Sequence, residues 1–464
     1  MNFLEREESD LKGIFNRFKK RDFKGTEGQA IKNSSFQLTT TLIAKAGSLI
    51  FTIIIARMLL PELFGLYTLA LSTIILFASF SDFGLGSALV NFLSKSLVEK
   101  SFPKAKTYFI KLLKYKLVLV ILVSLVLLAL AYYISNGYYN KPIFYALLAG
   151  GIYLPVVSLL GFIETAFKAN NNFREPFFKE FLFQVFRLIF VPLAIFLFLK
   201  ASFSNEAIVT GIIIILAFSY FLTLIFLIIM SRYNFGFLKV KKDKLTKVEN
   251  KNLKKFILPL TATALSGVFF GYIDTIMLGH FVTGEFIGYY GAAFSLIGAG
   301  SVIIGFAGSA LFPIFSRLKG QRLEQAFKKT FNFILILSIV GAILSFFLAP
   351  IIINIIYGQE YGSSIVLLRL FSLLLIALPL TGIYDSYFMS QERTKILAIL
   401  LISTTIINIV LNYFFIVFGL KFGLMQAVMG ACIATIISRF IYFFGMMLCR
   451  KRSQFREKKG KPKS

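Results

Sequence analysis

Tryptophan is absent from these 464 residues, histidine occurs once (His280) and cysteine twice (Cys432 and Cys449). One histidine and two separated cysteines leave no zinc ligand set and no thiol-catalysis arrangement. Acidic residues are also scarce, 22 against 50 lysines and arginines. Long polar stretches are missing too. The chain is 57% hydrophobic with a mean hydropathy of +0.78, whereas soluble domains average roughly 45–50% apolar. Apolar runs of about 20 residues, the length that crosses a bilayer, recur along the whole sequence. An ordinary soluble domain is therefore excluded.

The formal net charge of +28 would suit a nucleic-acid binder. Its placement points elsewhere. Twelve spans are expected, at 36–60, 65–94, 117–136, 143–167, 177–199, 207–230, 255–280, 286–313, 330–349, 362–389, 396–419 and 423–448. With the N-terminus inside, the inner segments hold 42 of the basic residues and the outer loops three, Lys141, Lys200 and Lys421. That bias is the positive-inside rule. It predicts a multi-pass protein of the cell membrane with both termini cytoplasmic, its basic face attracted to anionic membrane lipid. No nucleic-acid partner and no cleavable signal peptide are expected. Leu11, Ile14, Phe15 and Phe18 fit either an interfacial helix or a loosely ordered basic arm. Both cysteines fall away from the oxidising side, so no disulfide is expected.

The two halves are copies. Gly-Ser-Ala-Leu occurs at Gly86–Leu89 and again at Gly308–Leu311, 222 positions on. Pro61–Tyr67 (PELFGLY) aligns with Gly284–Tyr290 (GEFIGYY), and Gly161–Phe167 with Gly382–Phe388, at offsets of 223 and 221. Chance matches would scatter. The expected organisation is a basic arm (1–35), a six-helix bundle (36–230), a linker (231–254), a second six-helix bundle (255–448) and a basic tail (449–464). Six is even, so the copies are parallel and related by a pseudo-twofold along the membrane normal. The fold class is thus all-α and polytopic, about twelve transmembrane helices in two bundles around a central cavity. Such bundles rock to expose the cavity on alternate sides, as in secondary transporters. Gly291, Ser295, Gly298, Gly305 and Ser309 stripe span eight, for tight packing or for a sliding surface.

Charges inside spans are expensive and mark function or pairing. Lys45 and Arg187 lie at mid-depth, either as cavity cations or as a buried structural pair. Thr41, Lys45, Ser48 and Thr52 form one helical stripe, matched by Thr263, Gly267, Phe270 and Asp274 in span seven. Asp274, Arg369 and Arg439 complete the candidate substrate-binding set. Asp82, Glu164 and Asp385 lie toward the inner side as candidate gating or coupling residues. Glu164 and Asp385 match between the halves, which favours an inner gate or a helix-cap network. Asp82 has Lys95 or another inner base as its expected partner. Arg57 reads as an interface anchor snorkelling outward.

Ile53–Leu89 resembles the opening of the polysaccharide flippases, the oligosaccharidyl-lipid branch of the multidrug/oligosaccharidyl-lipid/polysaccharide exporter superfamily. Tyr272–Leu296 resembles the start of their second half, and Ile407–Ser438 their last two spans. The resemblance implies flipping of a lipid-linked oligosaccharide on a polyprenyl phosphate or pyrophosphate, from inner to outer leaflet, for cell-surface glycan assembly. It also implies a basic central cavity, a role that Lys45 and Arg187 match. Coupling to a proton or sodium gradient is implied, with no other cofactor. Polysaccharide polymerase or glycosyltransferase machinery would be the protein partner. The alternative is an ion-coupled drug or organic-cation antiporter of the same superfamily, which would want acids to dominate the cavity. An enzyme is not expected, since the longest outer loop, 350–361, carries Glu360 as its only acid.

Overall fold

The structure, a computed structural model, describes residues 25–309, 315, 318, 320–391 and 393–459, and side chains are not described at 25–28, 30, 31, 258–270, 306–309 and 453–459. Expectations for Leu11–Phe18, for Thr263, Gly267 and Phe270 as side chains, and for the second Gly-Ser-Ala-Leu lie outside that description. No strand occurs among the described residues. In the first half, α1 runs Gly25–Ser79, α2 Leu85–Val98, α3 Phe102–Tyr132, α4 Phe144–Ala169, α5 Arg174–Lys200 and α6 Asn205–Asn234. In the second, α7 runs Lys247–Phe281, α8 Gly284–Ser309, α9 Gly320–Ile356, α10 Ser364–Phe371, α11 Leu374–Ser390, α12 Thr394–Leu420 and α13 Leu424–Lys459.

These helices account for the twelve crossings. Nine of the described helices are each long and apolar enough to span. The helix α1 makes two crossings, because Leu60, at φ 58°, kinks it just before Pro61. Helices α10 and α11 form one crossing bent by 41°, and α7 supplies the last.

Three segments depart from the expected boundaries. Span two is not continuous over 65–94: it stops at Ser79 and resumes as α2, because Phe83 (φ 40°) and Gly84 (φ 75°) take left-handed conformations that no helix continues through. Span ten, expected over 362–389, breaks at Ser372, whose Oγ takes the Arg369 carbonyl at 2.7 Å. The inner segment 95–116 is helical rather than a loop, since α3 starts at Phe102 with Pro103 in its first turn. Past Tyr132 it winds into a π-helical turn, Tyr133–Tyr139.

The packing gives the molecule a polarity. Toward the outer end, in the sense of the charge bias, one hydrophobic core runs through both halves and joins Leu59, Leu69 and Tyr139 to Ile287, Tyr361 and Phe371. Toward the inner end there are two further cores. One gathers Leu89, Phe109, Phe167 and Phe235 in the first half. The other gathers Phe327, Tyr384, Phe388 and Phe443 in the second. The bundles are therefore fused at the outer level and have separate cores below it, where the start of α7 joins the core of the first half.

The outer seal is made by the repeat itself. The motif 61–67 lies on its own copy, 284–290. A Cβ on Gly65 would stand 1.8 Å from the Gly284 carbonyl oxygen, and one on Gly288 would stand 2.0 Å from that of Pro61. Only glycine permits backbones this close. Arg57 donates to the Ile355 and Ile356 carbonyls across the interface, so it is a latch between halves rather than the outward anchor expected. Tyr361 Oη donates to the Ala56 carbonyl at 2.8 Å. Lys141 Nζ donates to the Gly279 carbonyl at 2.5 Å, and burial pulls its ammonium down to about 8. His280 stacks on Tyr138, with ring centroids 4.6 Å apart.

The helix α7 straddles the halves. Its N-terminus is fixed by a capping box between Thr246 and Glu249. Leu253 is buried in the inner core of the first half, Glu249 accepts from Lys104 at 2.7 Å, and Phe256 meets Phe92 edge-on. The Lys104 and Thr246 donors hold the Glu249 carboxyl below its usual range. The other end of α7 packs on α12 in the second half.

Candidate functional site

Two polar centres occupy the membrane-embedded interior, one in each half. In the first, Arg187 on α5 is buried, and its guanidinium donates through Nε to Gln184 Oε1 and through Nη2 to Ser48 Oγ, both at 2.9 Å. The rings of Phe51 and Phe183 lie 4.6 and 4.9 Å from it, an aromatic sleeve that suits a weakly hydrated planar cation. Tyr67, Tyr153 and Tyr220 are within its electrostatic reach. Helices α1 and α5 approach closely because residue 47 is glycine; a Cβ there would stand 2.1 Å from Gln184 Oε1. Lys45 is exposed, as are Thr41 and Ser48 on the same stripe of α1. The structure thus brings Arg187 onto the stripe that carries Lys45.

From Arg187 a polar ladder descends α5. Gln184 Nε2 donates to Glu180 Oε1 at 2.5 Å, Lys179 pairs with Glu180 at 2.9 Å, and Glu164 receives Lys179 and Lys168 at 2.7 Å each. Glu164 is therefore in a network that ties α4 to α5. Such buried pairs hold only while every member is present.

The second centre surrounds Asp274 of α7, which is 5% exposed. Its carboxylate accepts from Tyr290 Oη at 2.8 Å, Asn412 Nδ2 at 2.6 Å and Thr435 Oγ1 at 2.6 Å. Asn408 donates to Ser438 Oγ at 3.0 Å. The amide oxygens of Asn408 and Asn412 are buried without a hydrogen-bond partner, an arrangement that is costly unless something else completes it. Arg439 lies within electrostatic reach of Asp274, Tyr290 and Tyr442. A single carboxylate among amide and hydroxyl oxygens is a hard donor set with one negative charge. No cluster of three or more His, Cys, Asp or Glu suited to a metal ion occurs among the described residues.

Asp82 and Arg369 stand apart from these centres, whereas Asp385 reaches the second through Tyr442. Asp82 pairs with the buried Lys116 at 3.4 Å, not with Lys95, which sits 4.0 Å from Glu99. Asp385 accepts from Tyr442 Oη at 3.3 Å. Arg369 lies with its guanidinium 5.8 Å from the Phe346 ring, and Phe346 is on an exposed face of α9. Tyr290, Asn408, Asn412 and Thr435 were not among the sequence candidates. Their signal was present: Asn408 and Asn412 are one helical turn apart in an apolar span.

Two six-helix bundles with polar centres in their interiors are the architecture of a multi-pass membrane transporter, and the family matches place it in the multidrug/oligosaccharidyl-lipid/polysaccharide exporter superfamily. Residues 30–319 match the family described as "Polysaccharide biosynthesis protein", and residues 259–414 match MatE. The chain belongs to the polysaccharide biosynthesis protein family. It is 24% identical over 364 residues to an uncharacterised membrane protein of Methanocaldococcus jannaschii, covering 72% of this chain and 68% of that one. Among solved structures, an inward-facing multidrug resistance MATE transporter superposes with a TM-score of 0.69 at 15% identity, over 91% of this chain and 96% of that one. The lipid II flippase MurJ, in an inward closed conformation, superposes at 0.65 and 17% identity, over 88% and 86%. An outward-facing multidrug resistance MATE transporter gives 0.60 at 15% identity, over 93% of this chain and 98% of that one. The sequence-based expectation of this superfamily and of two like bundles is met.

Proposed function

We propose that this protein moves a lipid-linked oligosaccharide, on a polyprenyl phosphate or pyrophosphate, between leaflets by rocking its two bundles. The observation that carries this reading is Arg187, a buried guanidinium set beside the exposed Lys45 stripe, in a chain of the polysaccharide biosynthesis family. Sugar hydroxyls lose their hydrogen bonds in hydrocarbon. A polar face such as Thr41–Thr52 replaces those bonds while the lipid tail stays among apolar side chains. Planar guanidinium groups match phosphate oxygens in pairs. The fused outer core corresponds to a carrier that loads from the basic, inner side. MurJ, a lipid II flippase, shares the fold. The membrane is the cell membrane, with both termini cytoplasmic, and glycan polymerase or glycosyltransferase machinery is the expected neighbour.

The Asp274 centre supplies the coupling. A sodium ion would take Asp274, Asn408, Asn412 and Thr435 as its oxygen ligands, and a proton would take Asp274 alone. Either competes with Arg439 for the same carboxylate, so occupancy passes along α13.

Reconstituted into vesicles with a fluorescent polyprenyl-pyrophosphate glycan, the wild type should expose the label to an outside quencher. Arg187→Ala and Lys45→Ala should abolish that transfer while inserting normally. Full transfer by both variants would end the reading. A drug antiporter is the second reading, favoured by the MatE match and by an acid at the second centre. Efflux of a cationic dye that is lost in Asp274→Asn, with no glycan transfer, would establish it instead.

A further inference from the structure

At the inner end of the first half lies a pocket of about 570 Å³, some way from Arg187. It lies between the start of α1, the α4–α5 turn and the end of α6, and its walls include Lys32, Phe36, Asn171, Phe173, Arg174 and Glu175. Five asparagines build it. Asn33 Nδ2 donates to Asn171 Oδ1 at 2.7 Å. Asn170 Nδ2 reaches the Asn234 carbonyl at 3.3 Å, and Asn172 Nδ2 reaches Asn234 Oδ1 at 3.2 Å. Asn171 itself takes φ 56°, a conformation asparagine tolerates. These bonds fix three separate elements around the pocket. Each amide has two donors and a carbonyl acceptor, so groups remain for a ligand once the frame is made.

One group in the wall is left over. Glu175 is 8% exposed, and its Oε2 is buried with no hydrogen-bond partner. A carboxylate oxygen in that condition calls for a donor. Glu175 shares the pocket wall with Phe36 and Phe173. Amides, a carboxylate and two aromatic faces are the donors, acceptors and stacking surfaces that a sugar ring requires. Lys32 and Arg174 in the wall would draw an anion, which makes inorganic phosphate the necessary control, and an alkyl chain would leave the amides unpaired.

We infer that this pocket is a glycan subsite: it binds a neutral sugar of the headgroup through hydroxyls donating to Glu175 and to the asparagine amides. The inference rests on the flippase reading. Glu175 and Arg187 are on the same helix, twelve residues apart, which is about 18 Å at 1.5 Å per residue. With its phosphate at Arg187, an oligosaccharide lying along the α5 ladder would place a distal sugar in the pocket. The phosphate centre then accepts any lipid-linked glycan, and this pocket selects among them.

The chain has no tryptophan, so Phe173→Trp places a single reporter in the wall of the pocket. The full-length Phe173→Trp protein in detergent is titrated with free glucose, galactose, mannose, N-acetylglucosamine and N-acetylgalactosamine, with inorganic phosphate as control. At least one sugar should give a saturable change in fluorescence, weakened tenfold or more by Glu175→Gln, while phosphate gives none. Asn171→Ala serves if Glu175→Gln fails to give a monodisperse protein, with the same expected loss. A flat titration for every sugar, equal binding by the variants, or a response to phosphate alone would overturn the proposal. Free-sugar binding needs no flipping. Sugar binding without lipid transfer would therefore sink the flippase reading alone, and transfer without sugar binding would sink the subsite alone.

Discussion

Replacing Gly288 by alanine tests whether the repeat-on-repeat contact holds the outer end shut. The new Cβ would stand 2.0 Å from the Pro61 carbonyl oxygen, and ordinary contact begins at 3.4 Å. The helices α1 and α8 must then part by about 1.4 Å along that line, and the obstructing atom is backbone, with no rotamer to yield. Overpacking of this kind costs about 1–3 kcal/mol. Charged to the outer-closed state alone, that is roughly a 5- to 150-fold shift of the conformational equilibrium. Spin labels at Lys200 and Lys421, one on each half's outer loops, report the opening once Cys432 and Cys449 are replaced. Gly288→Ala should move the distance distribution to longer values. Gly298→Ala is the control, since a Cβ there meets nothing within 4 Å, and its distribution should match the wild type. Superimposable distributions for all three proteins would show that these glycines do not set the closure.

Other outcomes follow from the same geometry. Asp82→Asn should lower the melting temperature more than Lys116→Met, because Lys116 is 3% exposed whereas the Asp82 side chain is 41% exposed. Removing the acid leaves a buried ammonium with Ser81 Oγ as its remaining partner at 3.3 Å, whereas removing the lysine leaves a carboxylate that water can reach; equal losses would refute that ordering. Glu249→Gln tests the docking of α7. The native carboxyl is held below 4.5 by Lys104 and Thr246, so its stabilisation is complete above that pH and fades as pH falls through the depressed value. The wild type's lead in thermal stability over Glu249→Gln should therefore shrink on acidification, and a constant lead would refute it. At the second centre, Asn412→Leu should abolish stabilisation of the purified protein by added sodium if sodium is the coupling ion. Undiminished stabilisation would remove Asn412 from the ligand set.

The bias of Lys and Arg toward one side and the 222-residue repeat were enough to read the bundle architecture. The charged candidates were legible as residues but not as partners. Glu164 and Lys179 are separated by a turn, and only their helices' packing sets them 2.7 Å apart. Asn408, Asn412 and Thr435 escaped because a neutral amide or hydroxyl is cheap enough in a span to pass as filler. Their significance is collective, arising when α7, α12 and α13 converge on Asp274. The alignment of Gly65 with Gly288 was visible in the letters. That each would pack on the other's motif required knowing where the twofold axis runs. The break at 80–84 turns on the left-handed residues Phe83 and Gly84, a choice made by local geometry within an otherwise helical pattern.

The anchoring of Lys247–Phe281 has an evolutionary corollary. The opening helix of the first copy lies down on its own bundle, through Asn33 and Asn171, whereas the opening helix of the second copy is moored on its sibling. The duplicated units have thus ceased to be interchangeable. A tandem of two second halves would have no berth for its linker, and a gene split at the junction would leave the second fragment's opening helix without its mooring.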